Sequence, residues 1–307
     1  MMHYAGGGVF DAADTFPTVG IVGGGKLGTT LAMALAKMQK LEWMLVRSAT
    51  RLETLASIVS SEVPLLQELD YIPHPPQLII LAVPDSAIET VAADIAAHFG
   101  SSLAGCTVVH CSGAYSIEPL TECMMNGALC AAVHPFQTFT GETDTVLRGI
   151  AWGIDCMNDS EDFLSGCIMA LGGTPIILSE HTRQHKAQYH AAAVAASNFL
   201  VAAITHAKAL AYHAGIEPEV FFPPIILTAV ENCLNTLDAE TTPLTGPISR
   251  GDAETVSRHL IALDDDKEIR LSYTYFSNAT ATIAYSYDMI SREQYDSLRD
   301  VLRLPQS

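Results

Sequence analysis

The chain has 307 residues, of which 49% are hydrophobic and 16% charged; 16 Lys and Arg stand against 34 Asp and Glu, a formal net charge of −18. This composition excludes intrinsic disorder and supports about two domains with a sizeable core. The acidity is even, with 6 basic and 15 acidic residues in 1–155 and 10 and 19 in 156–307. Nothing in it would attract nucleic acid or an anionic membrane.

Residues 1–16 lack the basic start and apolar core of a secretory signal and read as a loose leader around Gly6-Gly7-Gly8. Thr18–Val22 reads as a strand, Lys26–Met38 as a helix and Met44–Arg47 as a second strand. Leu78–Val83 is a buried strand, Ser86–Phe99 a helix, Thr107–Cys111 a strand, Ile117–Met125 a helix and Ala131–His134 a strand. Ile150–Asp155 and Pro175–Leu178 are further strands around the helix Ser160–Leu171. The apolar runs do not alternate, as expected of strands covered on both faces of a parallel sheet. After Leu178 the pattern is helical: His181–Ala214, Glu219–Leu237, Ala253–Ala262, Lys267–Ile290 and Arg292–Leu302, with a Pro/Gly loop at Pro243–Arg250. The fold class expected is α/β, a Rossmann doubly wound sheet over residues 17–179, followed by an all-α domain over 180–307 that supplies substrate contacts and dimerisation.

His181–Ala214 is apolar almost all round, which predicts burial through a domain or dimer core. Its most Ala-rich stretch, Ala191–Ile204, is too short to span a bilayer. The mean hydropathy of +0.25 suits a large subunit interface, so a homodimer through the helical domain is expected. Seven cysteines, at 106, 111, 123, 130, 156, 167 and 233, form no CxxC pair and suit reduced thiols in a cytoplasmic protein. His181 and His185 are four apart, but no carboxylate or cysteine at ligand spacing completes a metal site, so no metal is expected.

The strongest motif is Thr18-Val-Gly-Ile-Val-Gly23-Gly-Gly25-Lys26-Leu27-Gly28. It follows a strand and opens a helix at the start of an α/β domain, the context in which GxGxxG binds a dinucleotide. Gly23 makes the tight turn, Gly25 admits the pyrophosphate, and Gly28 lets the helix pack on the strand, with the helix N-terminus facing the phosphates. About 20 residues on, where an NAD site carries a carboxylate, the chain has Arg47, Ser48 and Arg51, which suits the 2′-phosphate of NADP better than NAD. Val83 and Pro84 close one strand on the ribose and nicotinamide side, and Ser112 closes the next as a polar contact or a plain turn residue.

With these residues the chain resembles the 6-phosphogluconate/β-hydroxyacid dehydrogenase superfamily. It is similar within it to Rossmann-like NADP oxidoreductases that carry a C-terminal domain of unknown function. The likeness covers roughly residues 18–304 and rests on the glycine motif, Val83-Pro84-Asp85, His110-Cys111-Ser112-Gly113, His134-Pro135-Phe136-Gln137-Thr138-Phe139, Tyr189-His190, Ser197-Asn198 and Leu244-Thr-Gly-Pro-Ile-Ser-Arg250-Gly-Asp252. It implies hydride transfer between NADP and a small carbonyl, imine or hydroxy acid in an interdomain cleft. The superfamily has a catalytic Lys followed four residues later by Asn; here the pair is Lys186 and His190, and either could move the proton. Asn198, with Ser197, follows about two turns later on nearly the same face. His134 and Gln137 are candidate substrate contacts, as are Arg250, able to clamp a carboxylate, and Asp252, which could orient Arg250 or cap a helix. The contrasting expectation is a dinucleotide sensor that kept the cradle and lost the chemistry.

Overall fold

Four-residue apolar strands with no polar alternation need cover on both sides, and the sheet is built that way. The computed structural model describes residues 16–59, 61–156 and 160–303; the glycine-containing leader lies outside them. The first part of the chain runs β1 (Val19–Val22), α1 (Lys26–Lys37), β2 (Leu41–Leu45), α2 (Ala49–Ala56), β3 (Leu65–Leu66), β4 (Leu78–Leu81), α3 (Ile88–Phe99), β5 (Thr107–His110), α4 (Thr121–Met125), β6 (Leu129–Pro135), β7 (Ala151–Cys156), α5 (Glu161–Ala170) and β8 (Thr174–Ile177). One eight-stranded sheet results, in the order β3-β2-β1-β4-β5-β6-β7-β8. Along β4, Leu78 and Ile80 enter one core with Leu31, Leu35 and Val109. Ile79 and Leu81 enter the other with Ile88, Ile95 and Val108. Each fully buried Leu or Ile contributes roughly 1.5–3 kcal/mol.

The sheet is not wholly parallel. β7 pairs antiparallel to β6, with His134 opposite Gly153, and β8 runs parallel to β7. The connection 136–150 holds only a 3₁₀ turn at Thr145–Leu147. Without a crossover helix it returns the chain antiparallel.

The expected long helix from His181 is broken. α6 (Glu180–Gln184) stops at His185, whose φ of −120° and ψ of 35° are not helical. α7 (Lys186–Val194) then passes through a π turn, Ala195–Phe199, into α8 (Leu200–His213). The π turn holds an extra residue, so the α-helical spacing that placed Ser197 and Asn198 on the face of Lys186 and His190 does not hold through it. The stretch Lys186–His213 is 28 residues long, with a mean hydropathy of 1.3 over its most apolar 18-residue window. Its length and composition, and these alone, would suffice to cross a membrane. The expected burial is corrected: of its described side chains only Lys186 and Ala211 are buried, the rest being partly covered or exposed.

Packing divides the chain into two units, Met1–Ser197 and Asn198–Ser307. α6 and α7 are fastened to the first unit by polar contacts to β6 and β7. The second unit contains α8, α9 (Pro218–Leu234), α10 (Ala253–Ala262), α11 (Lys267–Ser286) and α12 (Arg292–Val301). Its core is small, built from Ile248, Val256, Leu260, Ala281, Ala284, Ile290, Leu298 and Leu302. Caps define its helix starts: Asp252 on α10, Asp266 on α11, and a Ser291–Gln294 capping box on α12.

Candidate active site

Two groups of residues gather at the carboxyl ends of the parallel strands, where ligands collect in such sheets. The first lies beside β1, β2 and β4. Gly23 has φ of +113°, and a Cβ there would strike the Ala82 carbonyl. A Cβ on Gly28 would strike the Gly23 carbonyl, so Gly28 seats α1 against the turn. Gly25, the N-cap of α1, instead faces open space, with no atom within 4 Å of where its Cβ would be. No side chain caps α1, and Lys26 beside Gly25 is exposed while Leu27 packs against the core. A groove of about 650 Å³ opens from this turn, lined by Gly23–Gly25, Arg47, Ser48, Arg51, Val83 and Pro84, with Glu68, Asp70 and Asp94 at other points of the wall.

The three residues read as a phosphate clamp have distinct places. Ser48 caps α2, its Oγ accepting from the Arg51 amide at 3.3 Å. Arg51 is engaged with the turn itself: Nε donates to the Gly24 carbonyl at 2.6 Å and Nη2 to Thr29 Oγ1 at 2.7 Å. Arg47 is exposed, and only its carbonyl is engaged, by Gln67 Nε2 at 3.0 Å. Arg47 therefore offers the groove a guanidinium with no partner among the described residues, while Arg51 braces the glycine turn.

The second group lies at the ends of β5 and β6 and on α7. Lys186 is 5% exposed, and its Nζ lies 3.9 Å from Asp155 Oδ2 on β7. Neither atom has a hydrogen-bond partner among the described residues. Arg183 Nε approaches Asp155 Oδ1 at 3.5 Å. Burial lowers the Lys186 ammonium below its ordinary 10.5, opposed by the charges of Asp155 and Glu118. One turn on, Tyr189 Oη meets His134 Nδ1 at 3.0 Å. Burial pushes the Tyr189 phenol up to about 12 and His134 down to about 4, His190 and Lys186 adding to the latter. The His134 and His190 rings meet edge to face, centroids 5.8 Å apart. Gly113 permits this approach: a Cβ there would lie 2.8 Å from His134 Cε1 and 2.9 Å from His190 Cδ2.

His110 is fully buried, with Nε2 donating to the Ser116 carbonyl at 2.7 Å and Nδ1 accepting from the Ser112 amide at 3.2 Å. Ser112 Oγ accepts from the amides of Ala114 and Tyr115, so the side chain shapes the turn. Gln137 is exposed and folds onto its own loop, its Oε1 accepting from the Thr138 amide at 2.8 Å. Arg250 and Asp252 lie in the second unit. The Arg250 carbonyl accepts from Gln294 Nε2, and Asp252 caps α10 through Thr255 at 3.0 Å. Asn198 lies in the π turn at the start of that unit.

Sequence reasoning gave no role to Asp155, Arg183 or Gly113. The signal for Asp155 was a lone carboxylate in the apolar run Ile150–Cys156. Gly113 left none beyond its place at a strand end. All seven cysteines are free, and Cys233 is exposed.

Residues 10–135 match the family described as Rossmann-like domain, and residues 150–280 the domain of unknown function DUF2520. The two matches follow one another along the chain, and the second begins at the sheet's antiparallel strand. Among solved structures it is similar to a Bacteroides fragilis protein named for a proposed NADP oxidoreductase activity, at 22% identity and a TM-score of 0.72, covering 87% of this chain and 98% of that one. It is also similar to the reductive aminase from Aspergillus terreus in complex with NADPH and ethyl-5-oxohexanoate (16% identity, TM-score 0.63, 94% and 100% covered). A third is a pyrroline-5-carboxylate reductase from Coxiella burnetii (13%, TM-score 0.52, 89% and 99%). At these identities the likeness is one of fold. No curated protein matches the chain.

Proposed function

We propose that the chain is an NADP-dependent oxidoreductase acting on a small carbonyl, imine or hydroxy-acid substrate. The observation that carries this is the open space above Gly25 in a turn otherwise closed by its neighbours, with the exposed Arg47 on the same groove. Gly23, Gly25 and the uncapped start of α1 would hold the diphosphate, and Arg47 and Ser48 the 2′-phosphate. When bound, the nicotinamide supplies or takes up a hydride. The chain's own residues then handle the proton and the substrate's polar atom: His134, Tyr189 and His190 form the group at the ends of β5 and β6, and Lys186 sets the charge behind them. Lys186 Nζ itself is occluded, so the proton traffic falls to the histidines. The Aspergillus terreus enzyme, of the same fold, was solved with NADPH, so the fold accommodates that cofactor.

The exposed apolar surface of the second unit supports a homodimer through the helices. Phe221, Ile225, Leu227 and Leu234 on α9 are 61–69% exposed, a concentration that suits a subunit interface. The test of function is NADPH oxidation with pyruvate, glyoxylate, cyclohexanone with methylamine, and 2-methyl-1-pyrroline. Turnover of at least one supports the reading; NADPH binding without turnover of any such compound favours the sensor.

A further inference from the structure

The contact between Tyr189 and His134 fixes more than a position. The Tyr189 hydroxyl rests over Gly153, the residue opposite His134 in the β6–β7 register, where a side chain would displace it. Its one hydrogen-bond partner among the described residues is His134 Nδ1. A phenol is a strong donor, and an unprotonated imidazole nitrogen accepts better than a phenol oxygen. The hydroxyl proton therefore goes to Nδ1, and the imidazole carries its own proton on Nε2. That nitrogen has no protein partner among the described residues and is not sealed from solvent, unlike Lys186 Nζ.

We propose that Tyr189 is a positioning residue that locks His134 as the neutral Nε2–H tautomer, so that His134 presents a hydrogen-bond donor to a substrate with a lone pair, a carbonyl or neutral imine rather than an iminium cation. This rests on the proposed reductase reading for the identity of the ligand, but not for the tautomer. Burial beside Lys186 and His190 keeps the ring neutral, since each would add like charge next to a histidinium. A neutral imidazole donor polarises a carbonyl oxygen without transferring a full charge, a role known for histidines of lowered pKa. The donor has nothing to meet on an iminium nitrogen, whose lone pair is already used. Gly113 completes the device, because a side chain there would meet both Nε2 of His134 and the His190 ring.

The experiment is side-chain ¹⁵N NMR of the full-length, histidine-labelled protein at pH 7, with His134 assigned by the loss of its signals in His134→Gln. The expected result is a pyridine-type Nδ1 and a protonated Nε2 in the wild type, shifting to a mixture of tautomers in Tyr189→Phe. Gly153→Ala, which keeps the phenol but displaces it, is the second variant and should shift the same way. A proton on Nδ1 in the wild type overturns the proposal, as does a tautomer indifferent to the substitutions. For any carbonyl probe the wild type reduces, His134→Gln, whose amide N–H reaches the place of Nε2–H, should keep kcat/KM within about 10-fold, while His134→Asn loses about 100-fold or more. Equal losses overturn the donor role. Absence of turnover with every probe defeats the reductase reading while leaving the NMR result to decide the tautomer.

Discussion

Lys186 Nζ and Asp155 Oδ2 face each other at 3.9 Å with both side chains more than nine-tenths buried and neither atom hydrogen-bonded. Such a pair contributes little net stability, but removing Asp155 strands the Lys186 charge, whereas removing Lys186 leaves Asp155 beside Arg183 at 3.5 Å. Asp155→Leu alone should cost roughly 3–5 kcal/mol in urea unfolding, and Lys186→Met alone less, because Arg183 still faces Asp155. The double variant Lys186→Met with Asp155→Leu should recover most of that loss. Additive losses would show that the two charges do not depend on each other.

His134 makes a pH prediction whose sign follows from its value. Its folded pKa of about 4 lies below the ordinary 6.5, so between those values the unfolded chain takes up a proton that the folded chain does not. Stability should fall as pH drops from 6.5 toward 4, by up to about 3 kcal/mol from this one group. His134→Gln removes that contribution, so the stability difference between variant and wild type should change across this window and be flat above pH 7. A constant difference from pH 4 to 8 would mean that the ring titrates normally.

The glycine turn separates folding from binding. Gly25→Ala places a methyl in open space and should leave stability within about 0.5 kcal/mol of wild type while weakening NADPH binding at least about 10-fold. Gly28→Ala drives a methyl into the Gly23 carbonyl and should cost roughly 1–3 kcal/mol in stability. Unchanged NADPH affinity in the stable Gly25→Ala protein would remove the diphosphate from this turn.

Much of this arrangement was legible in the sequence where one local pattern decided the outcome. The apolar runs marked both-face burial, and the glycine spacing after a strand marked the turn. Ala253–Ala262 appears with the same bounds because Asp252 caps it. α2 was missed because it is only eight residues long, and its apolar stripe is the single pair Leu52 and Leu55. The break at His185 and the π turn at Ala195–Phe199 escaped because neither holds a Pro or Gly. The divided labour of Arg47 and Arg51 was illegible, since it depends on which guanidinium reaches a carbonyl 27 residues earlier. Likewise, Asp155 gains its role only when β7 and α7 meet.

The exposed face of α9 carries the assembly prediction. Phe221→Glu with Leu227→Glu should convert a dimer into a monomer in light scattering, with the far-UV spectrum unchanged, because two desolvated charges oppose an apolar interface. A wild type that is already monomeric at tens of micromolar would refute the interface.

The central claim is that the groove beside Gly25 and Arg47 holds a phosphorylated pyridine dinucleotide. Calorimetric titration of wild type and Arg47→Ala with NADPH and NADH tests it most directly. Wild type should bind NADPH more tightly than NADH, and Arg47→Ala should weaken NADPH about 10–100-fold with NADH unaffected, the loss of one charge-assisted contact. Failure of either nucleotide to bind at millimolar concentration, or tighter binding of NADH by the wild type, would contradict the account.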